Sequence, residues 1–326
     1  MRDSASPVAR PDLTLSAAAD AAVQCLAVGP AEDVLVLFNE DQRVIAESLA
    51  VAAEGAARSV QLLCYPPLTR DGEEPPTPVA AAMCEAAVIF AATTFSLSHT
   101  RARMEATRGG ARIATLPHIT EATFRRAMPV DYSELRRAGD RVAAQLSAAS
   151  KCRVTSVAGT DIVVDLEGRE AVVDDGNLQD EAAFGNLPAG EAFIAPREGS
   201  AEGLVVFDGS LAGLGLLEEP VAVRVAGGRA IQANGDAGKW LLETLDAGGT
   251  GGRLLAEFGI GTNPAANLSG SILEDEKVIG TAHLAFGTNE SFGGTNTSRV
   301  HIDGLLLEPT IELDARPLMH EGKLIL

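Results

Sequence analysis

The periodicity of the apolar residues changes once along this chain, and that change constrains the fold more than any other feature. Before about residue 150, short unbroken apolar runs alternate with helical spacing. Val34-Leu35-Val36-Leu37-Phe38 has no polar interruption, as a strand buried on both faces requires. Residues 41–54 follow with Val44, Ile45, Leu49 and Val51 at helical spacing. Residues 60–64, 87–92 and 113–116 predict further strands. Residues 132–148 predict a helix with Leu135, Val142 and Leu146 on one side. From about Lys151 the pattern shifts to short alternating segments at 153–157, 161–166, 204–207, 221–225 and 229–232. Turn pairs such as Asp208-Gly209 and Gly227-Gly228 punctuate them. One helix is expected at 237–245, around Trp240.

Strands alternating with helices predict a parallel sheet covered on both faces, whereas short alternating strands predict antiparallel pairing. The expected class is therefore α/β plus α+β. A Rossmann-like parallel α/β domain is expected at 1–148, and a β-rich domain at 149–326. A length of 326 residues suits two domains of about 150 residues each. The turn after the first strand reads Asn39-Glu40-Asp41-Gln42, where a dinucleotide-binding turn would carry GxGxxG. Its acids would repel a pyrophosphate, so NAD is rejected and the first half is read as a scaffold or partner domain.

Charge and composition narrow the partners. Lys and Arg number 26 against 45 Asp and Glu, so 26 − 45 = −19. That surplus repels nucleic-acid backbones and anionic membranes, and 4% aromatic residues offer few platforms for base stacking. Residues 1–12 contain no apolar leader, and the apolar stretch 80–95 is short and broken by Glu85. A cytoplasmic protein is expected. Cys25, Cys64, Cys84 and Cys152 show no CxxC spacing and read as small buried hydrophobes rather than disulfides or a zinc site.

Chemistry-bearing residues concentrate in the second half. His301-Ile302-Asp303 lies in an apolar run, and the period of two along a strand puts His301 and Asp303 on one face. His283, Glu257 and Glu191 each interrupt apolar or Gly-rich runs. A carboxylate there faces solvent, finds a partner or binds a metal, because an unpaired buried one is costly. Three carboxylates and two imidazoles suit two divalent cations. Taken singly, each residue is also explained as a satisfied core histidine, a pair in which Asp orients the ring, or a solvent-facing acid. His118 at a strand end, His99 and His320 are weaker candidates. Three Gly-Thr-Asn triplets, at 261–263, 287–289 and 294–296, are read first as turns in which Asn supports the backbone.

The strings NLPAGEAFIAP at 186–196, EFGIGTNP at 257–264, LEDEKVIGTAHLAFG at 273–287 and HIDG at 301–304, with IATLPHITEATFRRAMPVDY at 113–132, resemble the metallo-aminopeptidases of the aminopeptidase T/S type. The resemblance runs from about Val34 to the C-terminus. It implies two domains, a homodimer and a pair of divalent ions (Zn, Co or Mn) held by Glu191, Glu257, His283, His301 and Asp303. It also implies Glu276 as the catalytic glutamate and a peptide or small amide as substrate. Glu290 stands about where that family has a tyrosine. Dihydroxypyridine ring-cleaving dioxygenases resemble these proteins too. They imply the alternative of one Fe(II) on His283, His301 and Asp303, a two-histidine, one-carboxylate set. A relative that holds metal without turnover is a third reading.

Overall fold

The computed structural model describes residues 13–325; the segment 1–12, read above as lacking a leader, lies outside the described residues. The first sheet is parallel, in the order Ser59–Cys64, Asp33–Phe38, Val88–Ala92, Arg112–Thr115 and Phe184–Asn186. Alternation explains the unbroken apolar run. Val34, Val36 and Phe38 pack into one core with helices Leu13–Cys25 and Arg43–Glu54. Leu35 and Leu37 point into a second core with helices Thr77–Glu85 and Arg101–Arg108. Within Arg43–Glu54, Ile45 and Leu49 are buried, whereas Val44 and Val51 are exposed on the outer side.

The fifth strand of this sheet, Phe184–Asn186, comes from well beyond residue 150. The chain leaves the first sheet through helix Tyr132–Ala148, forms three strands, and then returns to add an edge. At the carboxyl end of Asp33–Phe38, Asn39 is buried. Its amide donates to Tyr65 O at 2.8 Å, and its oxygen accepts from Thr94 N at 2.7 Å.

Two antiparallel sheets make up most of the remainder. One has eight strands and includes Lys151–Thr155, Asp161–Asp165, Glu202–Phe207, Val221–Ala226 and Arg229–Ala233. The other has seven, in the order Gly215–Leu216, Ser210–Leu211, His301–Leu306, Ala282–Gly287, Leu255–Gly261, Glu191–Ile194 and Val172–Asp174. Ala192, Ile194, Phe258, Ile260, Leu284, Phe286 and Leu306 from the second sheet meet Val154, Ile162, Val205, Phe207 and Ile311 from the first in one core. The helix around Trp240 spans Gly235–Ala247. None of the described helices is long and apolar enough to cross a membrane.

The cysteine expectation needs correction. Cys25 and Cys152 are buried, but Cys64 and Cys84 are exposed, and all four are free. Cys64 ends the edge strand of the parallel sheet, and Cys84 lies on the outer side of helix Thr77–Glu85.

Candidate metal centre

The seven-stranded sheet positions the site by parity. Along Glu191–Ile194, Leu255–Gly261, Ala282–Gly287 and His301–Leu306, the residues Ala192, Ile194, Phe258, Ile260, Ala282, Leu284, Phe286 and Leu306 fill the core between the sheets, with a bulge after Leu255. Period two then sends Glu191, Glu257, His283, His301 and Asp303 to the opposite face. Their neighbours on that face are small. Glu257 is followed by Gly259 and Gly261, and His283 by Ala285 and Gly287. Gly259 lies opposite His283 in the register, and a Cβ on Gly259 would sit 2.1 Å from His283 Cε1 and Nε2. Only glycine lets the ring lie across the strand. Ala285 pairs with Glu257 on one side and Asp303 on the other, which sets those carboxylates in one row across three strands.

Two donor sets result, Glu191 with Glu276 and His283, and Glu257 with His301 and Asp303. Glu257 joins them, with Oε1 3.2 Å from His283 Nε2 and Oε2 3.2 Å from His301 Nε2. His283 Nε2 also lies 3.4 Å from Glu191 Oε2, and His301 Nε2 lies 3.4 Å from Asp303 Oδ1. Glu191, Glu257, His283 and Asp303 are buried, and His301 keeps a fifth of its side chain exposed.

Lys277, which the sequence reading did not single out, is fully buried beside the first set. Its Nζ lies 2.5 Å from Glu191 Oε1, 2.8 Å from Glu276 Oε1 and 3.3 Å from Asp174 Oδ2. Asp174, Glu191, Glu257, Glu276 and Asp303 thus set five carboxyl groups around a single ammonium, that of Lys277. Burial pushes the Glu276 carboxyl up to about 8, even against the Lys277 charge, and Asp174 up to about 6. Burial also acts to raise Glu257, but hydrogen bonds from His283 and His301 outweigh it and hold the group at about 2.

The donor chemistry fits a metal ion. His301 Nδ1 lies 2.8 Å from Thr288 O. A carbonyl only accepts, so Nδ1 carries a proton, and Nε2 is the ring atom turned toward Glu257 and Asp303. A lone pair facing two carboxylate oxygens is stable only with a cation between them, either a proton or a metal. Glu191 Oε2 is a second buried atom without a hydrogen-bond donor.

The remaining histidines fall elsewhere. His118 Nε2 lies 3.1 Å from Asp71 Oδ1, and its ring meets Phe95 edge-on. His320 is exposed on the strand next to the edge of the eight-stranded sheet. His99 is exposed, and the protein packed around it holds its imidazole below its ordinary value. Glu290, at the expected tyrosine position, lies on an exposed turn with Phe292, whose ring stands edge-on to His301 at 6.0 Å.

The Gly-Thr-Asn triplets are backbone clamps. The Asn263 amide donates to Ala127 O and Ala189 O at 3.1 and 2.8 Å, and its oxygen accepts from Ala265 N. Asn289 Oδ1 accepts from Asn296 N, and the Asn296 amide donates to Gly251 O and Gly287 O.

This fold and site define a class, in which a parallel α/β domain is joined to a β-rich domain whose acid–histidine sets suit metal ions. The chain belongs to the family described as "NicX: 2,5-dihydroxypyridine 5,6-dioxygenase", whose model matches residues 14–326. It is also related to aminopeptidase T. The protein of that name from Thermus aquaticus is 30% identical over 165 residues, covering 43% of this chain and 40% of that protein. The one from Thermus thermophilus is 29% identical over 195 residues, covering 51% and 47%. The chain thus spans less than half the length of these curated relatives. Among solved structures, 2,5-dihydroxypyridine dioxygenase from Pseudomonas putida KT2440 superposes with a TM-score of 0.79 at 19% identity, over 95% of this chain and 96% of that one. AmpT from Thermus thermophilus gives 0.77 at 20% identity, over 96% and 99%. At those identities the superpositions establish the fold. The relatives named are enzymes of two different reaction classes.

Proposed function

We propose that this protein is a metal-dependent hydrolase that removes an N-terminal residue from a peptide or cleaves a small amide. The observation that carries this reading is Glu257, which turns one oxygen toward each of two donor sets. Glu191, Glu276 and His283 would hold one divalent ion, and Glu257, His301 and Asp303 another, with Glu257 between them. Such ions, when bound, polarise a carbonyl and make water acidic enough to attack it at neutral pH. The chain's own residues do the rest. Thr288 fixes the His301 tautomer through Nδ1. Glu276, through the carboxylate oxygen not given to the ion, can take a proton from water and return it to the leaving amine. Lys277 keeps Glu276 in place. In this reading the protein works as a homodimer.

A second reading, ring cleavage by one Fe(II) on His283, His301 and Asp303, is favoured by the family match over residues 14–326. It leaves Glu191 and Glu257 without a metal charge to offset. Metal analysis of protein purified without chelator, with two activity panels, separates the two. The hydrolase reading expects about two divalent ions per chain and release of N-terminal residues from peptides without oxygen. One iron per chain, with oxygen uptake on a dihydroxypyridine and no peptide cleavage, would replace it with the second.

A further inference from the structure

Among the described residues, Lys277 is the one lysine or arginine paired with the acids of this cluster, and its position is lopsided. Its three ion pairs run to Asp174, Glu191 and Glu276. Among the described residues, none runs to Glu257 or Asp303. Two of its partners, Glu191 and Glu276, are also donors of the first set. An ion entering there meets a fixed positive charge already bound to the same carboxylates. An ion entering at Glu257, His301 and Asp303 does not. Like charges a few ångströms apart, shielded from water, repel strongly.

We propose that Lys277 is a positioning residue that makes the two cation positions unequal: the Glu257–His301–Asp303 position fills first and tightly, and the Glu191–Glu276–His283 position fills second and exchanges readily. The inference rests on the two-position reading above. Lys277 also gives the second position a reason to stay formed when empty, because its ammonium holds Glu191 and Glu276 together against their mutual repulsion.

The test is calorimetric titration of Mn²⁺ into the metal-free full-length protein, for wild type, Lys277→Met and Lys277→Arg, with circular dichroism to check folding. Wild type is expected to show two steps at least tenfold apart in Kd. Lys277→Met should tighten the second step at least tenfold and leave the first within about threefold. Lys277→Arg should keep the wild-type separation, because it keeps the charge. Equal wild-type steps, or a folded Lys277→Met protein with the separation unchanged, would overturn the inference while leaving the two-position reading intact. A single step in both proteins would remove the two-position reading and the inference with it. Should Lys277→Met not fold, Glu191→Gln is the deciding variant. Loss of the weak step with the tight one kept within threefold supports the assignment, and loss of the tight step overturns it.

Discussion

At Gly259 a single missing methyl group decides whether the centre can form. Alanine there would put its Cβ 2.1 Å from the His283 ring, and His283 is fully buried. Gly259→Ala should cost about 1–3 kcal/mol, as overpacking does, and should lower metal content, read by thermal melting and elemental analysis. A variant with wild-type melting and full metal content would show that His283 is not held as described. Glu257→Ala should be worse for metal than for fold. It removes the carboxylate facing both histidines, so at least one ion per chain should be lost; full retention would sink the ligand assignment. At this scale the H-x-D spacing was legible, because period two is a local rule. The small residues in EFGIG and HLAFG are also a readable sign of crowding on one face. Lys277 was not legible, because its partners Asp174 and Glu191 are distant in sequence and meet it only through folding.

Among the elements, strands came through the sequence pattern better than their partners did. The run 34–38 predicted a strand buried on both sides, and its two faces do enter separate cores. Pairing was harder to anticipate. Phe184–Asn186 is too short and too Gly-rich to announce a parallel edge strand, and only its position beside Arg112–Thr115 satisfies its backbone. Asn263 shows what binds such segments together. Its amide serves carbonyls from helix Glu121–Ala127 and from the segment that leads into Glu191. Asn263→Ala would leave both buried carbonyls without that donor, at about 2–4 kcal/mol. Urea unfolding checks this, and a loss under 1 kcal/mol would mean that the clamp is not structural. Cys64 and Cys84 mark the same limit, since composition predicts burial and only the choice of edge and face exposes them.

For the whole molecule, the junction between the two halves and the charge of the centre matter most. Arg126, on helix Glu121–Ala127, donates to both oxygens of Glu274, which is fully buried just before Glu276. Thr123 Oγ1 and Asn267 N complete the coordination of that carboxylate. Arg126→Ala should destabilise by about 3–5 kcal/mol, because it strands a buried charge, and a double-mutant cycle with Glu274→Gln measures the coupling. An additive cycle would remove the pair from the account. Chelation should also destabilise, since it leaves the clustered carboxyl groups of the centre without a metal charge. Saturation at about 100 times Kd contributes about 2.7 kcal/mol, or a melting shift of roughly 5–10 °C at about 2–4 °C per kcal/mol. An unchanged melt would mean that the protein carries no stabilising metal.

The sequence by itself determined the two textures of the chain, the lack of a GxGxxG string after the first strand and the candidate ligands for a metal. Each of these is local: a period, a spacing or a residue type. The tertiary structure alone decided that Glu257 stands between the two histidines, that Lys277 sits among three carboxylates and that Gly259 leaves room for a ring. Those facts depend on strand register, and register is set by how two distant faces pack, which no local pattern encodes.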